Sequence, residues 1–361
     1  MKQVACYLIF GLMAFLLSGG CSRDTGENAE GEVLVNLNIN VALSDVARPI
    51  ARGVVEDAKP KNEDEMMQKL RVIVVRENGV VEINDFINFS SSAVMSVVSG
   101  KFKVVSGEWK QIYLFVNEDN KSIQVGQGDS NETLALSDFL DGIMVGETFP
   151  AEVISNLTVR VETPSGQLSG ALPMNERHQV YVSRQENNEC QLFVTRAAVK
   201  FTFRITNETS TMRELTGLVI KNMADKEYYL PRNAKYEEET IGEEGDNYSV
   251  LAIKSYNVPP FSGVYDYKHE GVDVILPANN GFKELEPIYL LEGKPDGEYL
   301  VGITVNGVSW ERKLGNLPHG LPRNTHVVVN ITIKNDDKFE LEWVVDVEPY
   351  REKELKPDFG L

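Results

Sequence analysis

From residue 33 to residue 43 every odd position is apolar: Val33, Val35, Leu37, Ile39, Val41 and Leu43. The even positions are mostly polar, with Asn36, Asn38 and Asn40, and Ser44 follows. A period of two puts six apolar side chains on one face of a single extended strand. Burying six medium apolar side chains is worth roughly 9–18 kcal/mol gross, at about 1.5–3 each. Such a strand calls for a sheet with an apolar face.

The same period recurs along the chain. Residues 70–75 and 80–86 flank Asn78-Gly79, the signature of a hairpin turn. Further strands are expected at 102–105, 111–116, 153–161, 179–182 and 191–194, with the best helical stretch at 134–140. Near Arg196 a second block opens with a strand over 197–205. It continues with a hairpin of 299–305 and 308–314 about Asn306-Gly307, then strands at 326–333 and 339–347. In that last run Phe339, Leu341, Trp343, Val345 and Val347 share one face, opposite Glu340, Glu342, Asp346 and Glu348. No internal repeat of fixed period is visible. Short strands, many turns and few helices predict an all-β chain of two tandem β-sandwiches, at 53–194 and 195–361. A length of 361 residues suits two such domains.

Charge and side-chain chemistry narrow the function. Acidic residues outnumber basic ones by 54 to 36, for a net charge of −18, which disfavours a nucleic-acid partner. The four histidines, His178, His269, His319 and His326, are far apart and in no ligand spacing, so no metal or other cofactor is expected. No serine sits in a Gly-x-Ser-x-Gly context, no phosphate or dinucleotide loop is present, and an enzyme is not expected. Cys190 lacks a neighbouring histidine and reads as an apolar filler. Glu237-Glu238-Glu239 with Glu243, Glu244 and Asp246 lacks the pattern of a calcium loop and reads as a solvated loop. Tyr228, Tyr229, Tyr236, Tyr265 and Tyr267 suit half-buried strands; the competing reading is a sugar-stacking surface.

The N-terminus has its own logic. Lys2 is followed by an apolar run over 4–17, about 14 residues, where a spanning helix needs about 20. Ser18, Gly19 and Gly20 then precede Cys21. This arrangement resembles a bacterial lipoprotein signal, which implies a signal peptide at 1–20 and acylation, palmitate included, at Cys21. It departs from the usual pattern in having Ser18 three residues before the cysteine, with Leu17 one place further back. The other reading is an ordinary secretory signal with an incidental cysteine. Loss of 1–20 removes Lys2 and Cys6, takes the charge from −18 to −19, and leaves Cys21 and Cys190. With lipid on Cys21 no disulfide is available.

Three further stretches together resemble the fimbrillin family of the Bacteroidales, the subunits of lipoprotein-derived (type V) pili. They are Leu70-Arg71-Val72-Ile73-Val74-Val75 leading to Asn78-Gly79, and Thr195-Arg196-Ala197-Ala198-Val199-Lys200-Phe201. The third is Leu321-Pro322-Arg323-Asn324-Thr325-His326, with Val347-Glu348-Pro349-Tyr350 and Asp358-Phe359-Gly360-Leu361 beyond it. With the signal, the resemblance covers nearly the whole chain. It implies two transthyretin-like, Greek-key β-sandwiches and polymerisation rather than catalysis. It also implies that an arginine-specific protease removes the first strand, and that a neighbouring subunit refills the groove with a C-terminal strand.

The parts for this are present. Arg48-Pro49-Ile50-Ala51-Arg52-Gly53 follows the first strand, and because Arg48 precedes proline the expected cut is Arg52–Gly53. The propeptide would then be 21–52. The competing reading is a surface loop with two ordinary arginines. The run Phe339, Leu341, Trp343, Val345, Val347 is either the donor strand or an intramolecular strand of the second sandwich. The partners implied are other subunits of the pilus, the outer membrane through lipid on Cys21, and a host or bacterial surface ligand. The expected localisation is a lipid-anchored outer-membrane precursor, then a cell-surface fimbrium supporting adhesion. Two alternatives stand beside a polymerising subunit: the membrane-anchored base of the same fimbria, and a surface lipoprotein that binds glycans or other ligands without polymerising.

Overall fold

A computed structural model describes residues 31–44, 48–49, 62–89, 95, 97–125, 134–161, 166–241, 248–257, 263–293, 298–314, 321–334 and 340–349. The strands begin with β1 (Leu34–Leu43), β2 (Arg48–Pro49), β3 (Leu70–Val75), β4 (Val81–Ile87) and β5 (Val97–Val105). Next come β6 (Glu108–Val116), β7 (Ile123–Gln124), β8 (Thr158–Arg160), β9 (Met174–Val182), β10 (Asn187–Arg196) and β11 (Val199–Asn207). They continue with β12 (Arg213–Ala224), β13 (Lys226–Tyr228), β14 (Arg232–Ile241), β15 (Tyr248–Asn257), β16 (Val264–Leu276) and β17 (Gly281–Glu284). The last are β18 (Ile288–Leu290), β19 (Leu300–Val305), β20 (Val308–Lys313), β21 (Thr325–Lys334) and β22 (Glu340–Pro349).

The fold is all-β and consists of tandem β-sandwiches. The first is built on a seven-stranded sheet in the order β4-β3-β6-β9-β10-β1-β5, with β13-β8-β7 as a small companion sheet. Its end strands β4 and β5 touch, so the sheet rolls nearly closed. Gly100 permits that approach, since a Cβ there would lie 2.6 Å from Ile87 Cδ1. The second has one sheet ordered β17-β11-β21-β22, with β18 also on β11, and another ordered β16-β12-β19-β20. In each half the leading strand lies parallel to a later one: β1 beside β10, and β11 beside β21. A third small sheet is β14-β15-β2.

Both Asn-Gly turns form. Gly79 has φ +84°, and Asn306 and Gly307 have φ +50° and +78°, the left-handed backbone that tight hairpins need. Other expectations fail for physical reasons. The stretch 153–161 is not one strand: a helix, Ala151–Ser155, which buries Ile154, precedes the short β8. Glu237, Glu238 and Glu239 lie on strand β14, not in a loop, and pair with β15. Tyr228, Tyr229, Tyr265 and Tyr267 are buried, and Tyr236 is half-buried, so they form no sugar-stacking surface.

The core is one continuous apolar cluster running from Val35 to Ile333. Inside it lies a buried polar junction built from the residues of the third and second family-like stretches. Arg323, fully buried, pairs with Glu292 and donates to Tyr229 O (2.6 Å) and Tyr228 O (2.5 Å). Arg196, equally buried, donates to Glu65 O at 2.8 Å. The Glu65 carboxylate takes Lys200 Nζ at 2.5 Å and the Tyr289 hydroxyl at 2.5 Å. Buried charge is tolerated only when it is paired and hydrogen-bonded in this way. Replacing Glu65 by Ala strips the Lys200 ammonium of its carboxylate and should cost about 3–5 kcal/mol, measured by urea unfolding.

Candidate functional site: the slot of the first strand

β1 is an interior strand. On one side it runs parallel to β10, from Asn36 opposite Asn187 to Leu43 opposite Val194. On the other side the sheet order places β5. Its burial alternates as the sequence requires, with Val35, Leu37, Ile39, Val41 and Leu43 all inside. Val33 departs from the expected six: it lies before the strand and is 48% exposed. Five buried side chains reduce the gross burial to about 8–15 kcal/mol.

The polar face of β1 is tied down as well. Asn36 Nδ2 donates to Asn187 Oδ1 (3.0 Å), and Ser99 Oγ on β5 donates to Asn40 Oδ1 (2.7 Å). Cys190 Sγ lies 3.7 Å from Asn38 O, and burial pushes its thiol up to about 12, so it fills space and is not a nucleophile. At the C-terminal end Ser44 N donates to Val194 O at 2.9 Å. Ser44 Oγ accepts from Asn324 Nδ2 at 2.8 Å, which joins the end of β1 to the buried junction. Sequence reading missed the contact of Ser44 with Asn324 because it spans 280 positions and leaves no local signal.

Past β1 the chain adds a short third strand to a hairpin: on β2, Arg48 lies opposite Ser249 and Pro49 opposite Tyr248 of β15. The partner strand β14 is bound to the first sheet through the Tyr236 hydroxyl, which donates to the Glu176 carboxylate of β9. Arg232 reinforces it, donating from Nε to Ser155 O (3.0 Å) and from a guanidinium nitrogen to Asn156 Oδ1 (2.7 Å). Arg52 and Gly53 lie outside the described residues, as do Cys21 and Phe339.

The last apolar run forms β22, antiparallel to β21 in the same chain. Its register sets Leu341 opposite Ile333, Trp343 opposite Ile331, Val345 opposite Val329 and Val347 opposite Val327. Those four β21 residues are buried. Among the described strands β22 has β21 as its one neighbour, at the edge of its sheet. Among the described residues no three of His, Cys, Asp and Glu gather into a metal site, and no helix is long and apolar enough to cross a membrane.

No protein-family model matches the chain, and no curated protein does. Solved structures similar to it include the tip fimbrial protein Mfa3 from Porphyromonas gingivalis with C-terminal truncation. That pair is 12% identical over 86% of this chain and 99% of the other, with a TM-score of 0.48. A fimbrial assembly protein from Parabacteroides distasonis is 11% identical over 88% and 99%, with a TM-score of 0.44. The fimbrial anchor protein Mfa2 from Porphyromonas gingivalis is 9% identical over 87% and 98%, with a TM-score of 0.34.

Two measurements probe this site. Ile39→Ala empties a fully buried position of β1 and should cost about 2–5 kcal/mol, while Asn38→Ala on the other face should cost under about 1 kcal/mol, compared by denaturant midpoints. Burial pushes the Glu176 carboxyl up to about 7 from its ordinary 4.5. Between those values the folded protein holds a proton that the unfolded chain has released. Stability should therefore be highest below about pH 4.5 for this group, and fall by up to about 3 kcal/mol as pH rises through 7. Unfolding Glu176→Gln beside the parent at about pH 5 and about pH 8 should show that slope flattened.

Proposed function

We propose that the chain is a structural subunit of a bacterial surface fimbria, exported as a lipoprotein on Cys21 and assembled by strand addition. The observation that carries this reading is the place of β1. It is interior to its sheet, yet it is the first described strand, so one cut on its C-terminal side separates it from the rest of the fold. The cut falls at Arg52–Gly53, after the residues that pair with β15, and removes a propeptide of 21–52. The mature chain is then two domains, 53–194 and 195–361.

Departure of β1 leaves unpaired backbone edges on β10 and β5 and an apolar slot between them, both of which attract an extended strand. The donor is the C-terminal run of a neighbouring subunit. Phe339, Leu341, Trp343, Val345 and Val347 repeat the spacing of Val35, Leu37, Ile39, Val41 and Leu43, five apolar positions at every second residue in each. Strand addition restores the ladder hydrogen bonds and the apolar contacts together. The donor lies at one end of the subunit's chain and the acceptor slot in another part, so the contact is heterologous and repeats into a filament. Catalysis plays no part.

The test is Arg52→Ala in the producing cell. The parent should give detergent-resistant ladders of oligomers on a gel, and the variant should accumulate as acylated, unassembled precursor. Ladders from the variant equal to those of the parent would overturn cleavage at this bond as the trigger of assembly.

A further inference from the structure

We infer that a cavity between β8 and the segments flanking β3 and β7 binds a small organic anion through Arg160 and Lys121. The cavity measures about 470 Å³. Its walls are 68–69, just before β3, Asn117 with 119–122, between β6 and β7, the segment 167–171, and Arg160 at the end of β8. A volume of that size falls within the range of about 300–1,000 Å³ that holds small-molecule ligands. Buried Leu168 gives one wall an apolar patch.

Side chains that bridge to backbone hold the walls together. Asn120 Nδ2 donates to Ser169 O (3.1 Å) and Ala171 O (2.8 Å), and its Oδ1 accepts from Ser122 N (2.9 Å). Asn117 is buried at φ +55°, a left-handed conformation that asparagine tolerates. Its Nδ2 donates to Met66 O (3.0 Å) and Leu172 O (2.8 Å), and its Oδ1 accepts from Gln68 N (2.9 Å). Arg160 N donates to Ser122 O at 2.9 Å, which ties β8 to the wall across from it. A cavity braced in this way needs little ordering when a ligand enters, and less binding energy is lost.

What the walls leave available is donors. Among the described residues the exposed side chains of Arg160 and Lys121 have no ion-pair or hydrogen-bond partner. Tyr289 N donates to Gln167 Oε1 at 3.1 Å, so the acceptor half of that amide is taken and its NH2 group is left. The one acid in the lining, Asp119, is paired with Lys69 Nζ at 3.0 Å. Lys69, Lys121 and Arg160 against Asp119 make the lining +2, on a chain of net charge −18. A concave wall of one sign concentrates counter-charged ligand. The guanidinium fork takes a carboxylate or phosphate through two parallel N–H bonds, and a lysine adds a point charge. A neutral sugar, whose hydroxyls need acceptors as well as donors, is matched less well. No residue of β1 lines the cavity, so the inference stands apart from strand exchange.

The experiment is calorimetric titration of the full chain with glucuronate, glucose 6-phosphate, inorganic phosphate and neutral glucose. Glucuronate or glucose 6-phosphate should bind more tightly than either glucose or inorganic phosphate, and the tighter of the two tells a carboxylate site from a phosphate site. Arg160→Ala and Lys121→Ala should each weaken that binding by about tenfold, or about 1.4 kcal/mol. Asp119→Asn removes the negative charge of the lining and should tighten it by about threefold, a gain that misfolding cannot produce. The inference is overturned if neither organic anion binds, if glucose binds as tightly, or if Arg160→Ala binds as the parent does. It is also overturned if Asp119→Asn weakens binding, or if inorganic phosphate matches the organic anions, which would leave an adventitious ion only.

Discussion

Five apolar side chains on one strand complete the first sheet. Val35, Leu37, Ile39, Val41 and Leu43 close the core between β10 and β5, and the backbone of β1 is bordered by a strand on each side. A missing edge strand would cost a sheet one ladder, whereas a missing interior strand opens two edges and a groove together. The cost of an empty slot is therefore large against the 5–15 kcal/mol or so that separates a folded domain from an unfolded one. Under the proposed assembly, the slot is filled either by the chain's own strand or by an equivalent strand from a neighbour.

That pair of states explains why assembly would need a cut bond. A tethered strand competes at an effective concentration of the order of millimolar, which a free neighbour at ordinary concentration cannot match. Severing the tether would remove that advantage and let β1 diffuse away. What remains must keep its shape meanwhile, and the buried junction meets that need. Glu65 is fastened to Lys200 and Tyr289, and Arg323 to Glu292, by contacts that involve no residue of β1. The hydrogen bond from Asn324 to Ser44 is a thread between the junction and the end of β1.

Much of this was legible in the sequence, and what was not has physical causes. Strict alternation marked β1 and β22, short apolar runs marked β3 and β21, and Asn-Gly marked two turns, because these signals are local. The long strands β12 and β16 escaped notice. Their pairing shifts register between Leu215 and Gly217 and again between Ile220 and Met223, so the apolar period breaks mid-strand. Residues 151–155 misled because a short apolar run fits helix and strand alike. The tyrosines were ambiguous until burial was known. Parallel pairing of β1 with β10 joins residues about 150 positions apart, a distance no local pattern encodes.

The most direct test is the N-terminus and intact mass of the mature protein recovered from the cell surface. The account predicts a chain that starts at Gly53 and carries no lipid. A chain that starts at acylated Cys21, with β1 still attached, would contradict it.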